Sequence, residues 1–212
     1  VMLGATANNH NRLHTGAHYP RSPQTINQIQ KSVNKFEERY SECVVNDVDS
    51  YYGVAAEKSK ISADQFETNL VGIVPNLKRL LDFSDLPFKR DKVNSVFSVS
   101  ENIYDVNVLR KLIKRQLKNS SVNVHYNQKR NVKTFSDTLG SDLHIDCTYG
   151  SKYQNSDQSI VGYKTELVHI PVVEMSLPKI ACTIMDGNFV SFLPNGNNKN
   201  QFLLYDVINS PI

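Results

Sequence analysis

Residues 180–209, IACTIMDGNFVSFLPNGNNKNQFLLYDVIN, hold three apolar runs: IACTIMD (180–186), FVSFLPNG (189–196) and QFLLYDVIN (201–209). They are parted by Asp186-Gly187 and by the polar NGNNKN, residue types that accept tight-turn backbone conformations. β-branched and aromatic residues fill the runs, so the stretch reads as consecutive strands on short connections, which makes neighbours antiparallel. A preceding run, YKTELVHIPVVEM (163–175), ends before Pro178 and adds another strand. From about residue 160 onward the chain reads as an antiparallel meander.

Upstream the grammar is different. Ser22 is a good N-cap, Pro23 suits the first helical position, and Ile26, Ile29, Val33, Phe36 and Tyr40 recur at three- and four-residue steps, which predicts an amphipathic helix over about 23–41. YYGVAAE (51–57) reads as a short strand, and Ser62 with Gln65 makes a capping box ahead of a second helix carrying Phe66 and Leu70. VNSVFSVS (93–100) alternates as a strand does. Asp105 then caps a helix over about 106–118, with Val108, Leu109, Leu112, Ile113 and Leu117 on one face. VNVHYN (122–127) and DLHIDCTYG (142–150) look strand-like, and a helix feeding a strand is the local pattern of an α/β layer with parallel strands. The fold class expected is therefore mixed α/β (α+β), with a helix-and-strand layer interleaved with a domain built on an antiparallel sheet.

The chain has 212 residues, enough for one large domain or two small ones, and could bury roughly 70% of its unfolded surface. Its 24 basic and 21 acidic residues leave a net charge of only +3, and the densest basic cluster, LRKLIKRQLK (109–118), reads as the solvated face of a helix. A nucleic-acid partner is not expected. Cys43, Cys147 and Cys182 lie far apart without a CxxC pair, so neither a zinc framework nor a disulfide scaffold is indicated, and a reducing cytoplasm is the default location. No apolar run approaches the ~20 residues of a membrane span, and VMLGATANNH lacks the features of a signal peptide. The abrupt start at Val1 reads as an internal piece of something longer. Oligomeric state is left open.

The densest chemistry sits in NNHNRLHTGAHYPRS (8–22), where His10, His14 and His18 fall four residues apart among Arg12, Tyr19 and Arg21. Gly16 and Pro20 interrupt any helix that would stack the histidines on one face, and no H-E-x-x-H pattern exists, so no metal set is expected. The segment reads as a loop, either a His-rich surface loop or one whose polar, cationic and aromatic side chains line a ligand pocket. Cys147, at the end of a strand, reads as a buried structural thiol in the absence of an identifiable base. No Walker A loop, G-x-S-x-G elbow or G-x-G-x-x-G occurs, which removes support for nucleotide hydrolysis and serine-hydrolase chemistry.

In order, GATANNHNRLHTGAHYPRSPQT, IYDVNVLRKLIKRQL, VNVHYN, DLHIDCTYGS, MDGNFVSFLPNG and FLLYDVINSP resemble FAD-dependent oxidoreductases of the D-amino-acid oxidase type. Nearest are members whose flavin loop reads roughly N-x-x-x-x-H-x-G-x-x-Y, such as 2-hydroxyglutarate oxidases and related enzymes of cell-surface sugar clusters. The resemblance implies that 1–20 and 102–152 belong to an FAD-binding domain, and 21–101 and 153–212 to a substrate domain. It implies FAD contacts from Ala5, Thr6, Asn8, Asn9, His10, Asn11, Arg12, Leu13 and His14, and from Cys147, Thr148, Tyr149 and Gly150 in the segment similar to the family's NATG-like element. Tyr149 departs from the simplest form of that element. Tyr19, Tyr52, Phe189 and Tyr205 would face a small-molecule substrate, and His14, His18 and Arg12 would supply base work or a stabilising field. The family's Gly-rich turn and ribose-binding Glu would lie upstream of Val1. The activity implied is hydride transfer from a C–N or C–OH carbon of an amino acid, 2-hydroxy acid or amino sugar to flavin. The rival reading is a non-catalytic ligand-binding or interaction domain.

Overall fold

In the computed structural model the described residues are 2–127, 145, 166–186 and 189–211. The chain divides into two compact units, Val1–Gln116 with Leu167–Ile212, and Leu117–Glu166.

The first unit is organised by a seven-stranded sheet. In chain order its strands are β2 (Asp49–Ala55), β3 (Lys78–Arg79), β4 (Val93–Val99), β6 (Val172–Glu174), β7 (Ile180–Met185), β8 (Val190–Pro194) and β9 (Gln201–Asp206). Across the sheet the order is β3-β4-β2-β7-β8-β9-β6. The expected meander is present in β7, β8 and β9, which pair antiparallel in chain order, whereas β6, expected to lead it, pairs antiparallel with β9 at the far edge and not with β7. At the centre of the sheet β7, the first strand of the meander, meets β2 in a parallel pairing, Asp49 opposite Ile180 through Val54 opposite Met185. The fold is thus mixed α/β with a mixed sheet. A second, two-stranded antiparallel sheet joins β1 (Val44–Val45) to β5 (Ile103–Tyr104).

The helices begin where their capping chemistry says they should. Ser22 accepts from the Thr25 amide and Pro23 opens α1 (Pro23–Tyr40). Ser62 and Gln65 form the reciprocal capping box of α2 (Ala63–Leu70). Asp105 Oδ1 accepts from the Asn107 and Val108 amides at 2.8 and 3.1 Å, capping α3 (Val106–Lys118). Each side chain satisfies amides that the first helical turn leaves without a partner.

Alternation along the strands separates two cores. Tyr52, Val54, Phe97, Val99 and Met185 face one side and pack with Ile26 of α1 and with Phe66 and Leu70 of α2. Val93, Val96, Ile180 and Cys182 pack on the other side with Phe88, Leu86 and Phe83 from the 80–92 loop. β1 and β5 pack through Val45 and Ile103 onto Ala181 and Leu193. Ala181, Thr183 and Met185 alternate with the residues of the second core, so the small sheet and the α1–α2 layer cover the same face.

The 122–127 segment, expected as a strand, forms none. A strand needs a hydrogen-bonding partner along its edge, and Val122, Val124 and Tyr126 stay exposed. The expectation of a parallel strand fed directly by α3 is corrected accordingly: among the described residues the parallel pairing is β2 with β7, reached by a much longer connection. The strand expected over 142–150, with Cys147, lies outside the described residues, as does 163–165.

Gly53, in mid-β2, has no room for a side chain: an added Cβ would stand 2.9 Å from Val93 Cγ1 and 3.0 Å from Phe88 Cε1. Gly53→Ala is expected to destabilise the first unit by about 1–3 kcal/mol through overpacking. Urea denaturation checks this, and an unchanged midpoint would mean that Phe88 does not close over β2.

Candidate functional site

Strand register brings together residues far apart in sequence. Phe97 on β4 is opposite Tyr52 on β2, Tyr52 opposite Thr183 on β7, Thr183 opposite Ser191 on β8, and Ser191 opposite Tyr205 on β9. Paired residues in neighbouring strands point to the same face, so these five form one row across the sheet. The 10–18 segment runs over that row. It is tied down by an antiparallel bridge from Arg12 to Ile103, and by backbone bonds from Leu13 N to Asn102 O (2.9 Å) and from Tyr104 N to Asn11 O (2.8 Å).

Beneath the loop lies a buried charge pair. Arg12 Nη1 donates to Glu101 Oε1 at 2.8 Å, with the side chains 3% and 1% exposed. Arg12 also donates to the Tyr52 hydroxyl, and through Nη2 to Thr183 Oγ1 at 2.8 Å. Glu101 accepts further from Tyr52 OH at 2.6 Å, and on Oε2 from the Thr15 amide at 2.8 Å and Thr15 Oγ1 at 3.1 Å. Burial works against charge on both partners. On Glu101 it is outweighed by Arg12, His14 and the hydrogen bonds from Tyr52 and Thr15, which hold the carboxyl below its ordinary range. On Arg12 it is outweighed by Tyr52 and Glu101, which hold the guanidinium above its own. Tyr52, buried beside Glu101, is pushed well above the ordinary phenol value. The pair is ionised, the phenol neutral.

Above it stand three half-buried histidines. His14 and His18 have ring centroids 5.0 Å apart, His18 stacks on Phe189 at 5.3 Å, and Tyr19 touches both, at 5.8 Å from His14 and 5.2 Å from His18. His10 stands apart, edge-on to Tyr205 at 4.9 Å, with Nδ1 3.5 Å from Ser191 Oγ. Burial, then the charge of Arg12 and the neighbouring His14, lowers His10 to about 4. Burial, then His14 and Arg12, lowers His18 to about 3. His14 is lowered by burial, against the pull of Glu101. All three imidazoles are neutral at physiological pH. His10 Nε2, His14 Nδ1 and His18 Nδ1 are each enclosed without a hydrogen-bond partner among the described residues, as is Asn11 Oδ1.

The residues singled out from sequence therefore divide. His14, His18, Tyr19 and Phe189 form one wall of touching rings, beside which His10 and Tyr205 make a separate pair. Arg12 and Tyr52 lie below it in the interior, their polar atoms engaged. Leu13 packs with Tyr104, Leu109 and Leu112. Ala5 and Thr6 sit in an exposed 3-10 turn, Ala5–Ala7. Asn8 Nδ2 donates to Leu3 O and Gly4 O, and Asn9 Nδ2 to Ala5 O and Thr6 O. Asn11 adopts the left-handed conformation at φ 55°. Cys147, Thr148, Tyr149 and Gly150 lie outside the described residues. Cys43 and Cys182 are free, buried thiols, pushed by burial to about 11 and about 12. Among the described residues no three His, Cys, Asp or Glu side chains converge as a metal-binding set, and no described helix is long and apolar enough to cross a membrane.

Sequence reasoning overlooked Glu101, Thr15, Thr183 and Ser191. A signal existed for Thr183, a hydroxyl in a strand otherwise buried along almost its whole length. For Glu101, between two strands, none did.

No protein family, curated protein or solved structure matches this chain.

The depressed histidines carry a pH dependence. An unfolded histidine takes a proton near pH ~6.5, whereas His10 waits until about 4 and His18 until about 3. The unfolded chain thus binds more protons in that window. Stability is full above ~6.5 and falls with acidification toward 3, by up to about 1.4 kcal/mol per pH unit for each histidine. Urea midpoints between pH 7.5 and 4.5, above the main carboxylate range, should decline, and His18→Leu should flatten the slope. A flat wild-type profile would mean that these rings titrate normally.

Proposed function

We propose that the histidine wall is one side of a flavin site, and that the protein is an FAD-dependent oxidoreductase acting at a C–N or C–OH carbon of a small polar substrate. One observation carries the reading: three neutral imidazoles, each with an enclosed ring nitrogen lacking a partner among the described residues, stand over the sheet beside aromatic rings, His14 and His18 with Tyr19 and Phe189, His10 with Tyr205. Polar groups buried without partners cost free energy, about 1–3 kcal/mol each, and a planar heteroaromatic ligand with both donors and acceptors offsets that cost. In chemistry, imidazole donors and acceptors beside aromatic rings, the residue types present fit such a group.

A bound flavin supplies the two-electron chemistry, accepting hydride from the substrate carbon. The chain's own residues do the rest. His14 and His18, held neutral, can take the proton that leaves the substrate nitrogen or oxygen. Phe189, Tyr19 and Tyr205 supply flat apolar surface that orients a ligand and displaces water. Arg12 cannot reach a ligand while bound to Glu101, Tyr52 and Thr183; its part is to hold the loop and set the field beneath it. Ala5–Asn9, exposed and tied to nearby carbonyls, would border the cofactor. The proposal retains a cytoplasmic location, in keeping with the free buried thiols, and the allocation of 1–20 to the cofactor side.

A non-catalytic binding domain is the second reading, favoured by an open cleft of about 440 Å3 that lies beside α1, lined by Thr15, Gln30, Asn34, Glu37, Ser100 and Asn102, and not over the histidines.

Titration with FAD, followed by quenching of flavin fluorescence and by the band near ~450 nm, separates the two. Saturable binding is expected, with His14→Ala slowing flavin reduction by substrate at least ~100-fold. No binding, either by this chain or by a form extended upstream, would overturn the flavin reading.

A further inference from the structure

We infer that Glu101 is the positioning residue of the histidine wall: its two carboxylate oxygens grip Arg12 and Thr15, on either side of His14, and so fix how His14 and then His18 are presented. The inference rests on the wall being the functional surface, but not on which ligand it takes.

Three observations carry it. The first is the division of labour between the oxygens. Oε1 faces inward, to Arg12 Nη1 and Tyr52 OH, while Oε2 receives the amide and the hydroxyl of Thr15. One buried group outside the loop therefore fastens it at two points three residues apart. The second is what else restrains the loop. Backbone bonds hold Asn11 and Leu13 against 102–104, and Tyr19 N bonds Gly16 O. Between Leu13 and Gly16 the Thr15 amide is taken by Glu101, so His14 hangs from a backbone whose C-terminal side is set by that carboxylate.

The third is energetic. A buried ion pair is weak evidence for stability, because an apolar set of similar volume often serves as well. Charge kept at 1% exposure, with four donors aimed at one carboxylate, fits a requirement for orientation and field. The charged groups that act on the imidazoles are Arg12, on all three, and Glu101, on His14 and His18; Arg21, half exposed, is paired at 2.7 Å with the buried Asp186. Without the Glu101 charge, Arg12 would stand alone beneath three neutral rings.

The test reads the imidazoles directly. Histidine ring 15N and Cε1–H signals are recorded at neutral pH for wild type, Thr15→Val and Glu101→Gln, with exposed His125 and His169 as internal references. Thr15→Val removes one hydroxyl contact and leaves every charge in place. Expected is movement of the His14 and His18 signals in both variants, with unchanged references. In Glu101→Gln the His14 protonation midpoint should also shift downward, since Arg12 is no longer balanced. Glu101→Asp, which keeps the charge but is one methylene shorter, should restore the midpoint more than the ring positions. If Glu101→Gln does not fold, Thr15→Val and Glu101→Asp decide. Unmoved His14 and His18 signals, or equal movement of the references, overturns the inference. No flavin enters this measurement, so its failure and a failure to bind FAD are distinguishable.

Discussion

The ion pair between Arg12 and Glu101 is the constraint on which the rest of the first unit turns. Each charge is paid for only by the other and by hydrogen bonds, so every donor and acceptor around them must arrive from a fixed direction. Those groups come from the N-terminal loop (Thr15), β2 (Tyr52), the β4–β5 connection (Glu101) and β7 (Thr183). Four segments, from opposite ends of the sequence, are thereby obliged to meet at one point. Ser50, also on β2, adds a further tie, its hydroxyl donating to the Glu101 carbonyl at 2.8 Å.

The sheet makes this meeting possible. Tyr52 and Thr183 stand side by side because β2 and β7 pair in the observed register; a slip of one residue would turn the side chains of the strand that moved to the opposite core and part the two. The same register carries the row onward to Ser191 and Tyr205, which gives His10 its platform. Pleat and pairing thus convert one buried charge pair into a surface several strands wide. On the opposite face Gly53 leaves space for Phe88, so β2 is clamped from both sides.

Much of this was legible locally. Ser22-Pro23, Ser62 with Gln65, and Asp105 announced their helices because a cap is chemistry between residues two or three apart. The meander was legible because its turns are short. The parallel β2–β7 pairing was not, since nothing in either strand encodes a partner some 130 residues away. VNVHYN shows the converse error: alternation describes what a strand could do, while pairing decides whether it forms. At the site, the loop announced itself through its histidines, but the carboxylate that organises it is a single Glu outside any motif. Arg12 drew attention as a candidate for chemistry because of its company, and proved to be structural in its contacts.

Burial of the histidines follows from the same arrangement and limits what the wall can do. Arg12 is neutralised by Glu101, and Arg21 by Asp186, so the surface the loop presents is close to uncharged while rich in hydrogen-bonding groups. Such a surface gives little electrostatic attraction to a charged ligand at long range. Close up, where water is displaced and the effective dielectric constant is low, it responds strongly to charge that appears during a reaction or on binding. A neutral imidazole with a depressed pKa is a weak base toward solvent, but it can accept a proton from a group whose own acidity rises as bonding changes. The burial energy that keeps His14 and His18 neutral sets how acidic a neighbouring group must become before either ring accepts its proton, and it would be lost if the loop opened to water. The charge pair below and the course of the loop that carries the rings above meet in one buried carboxylate, that of Glu101.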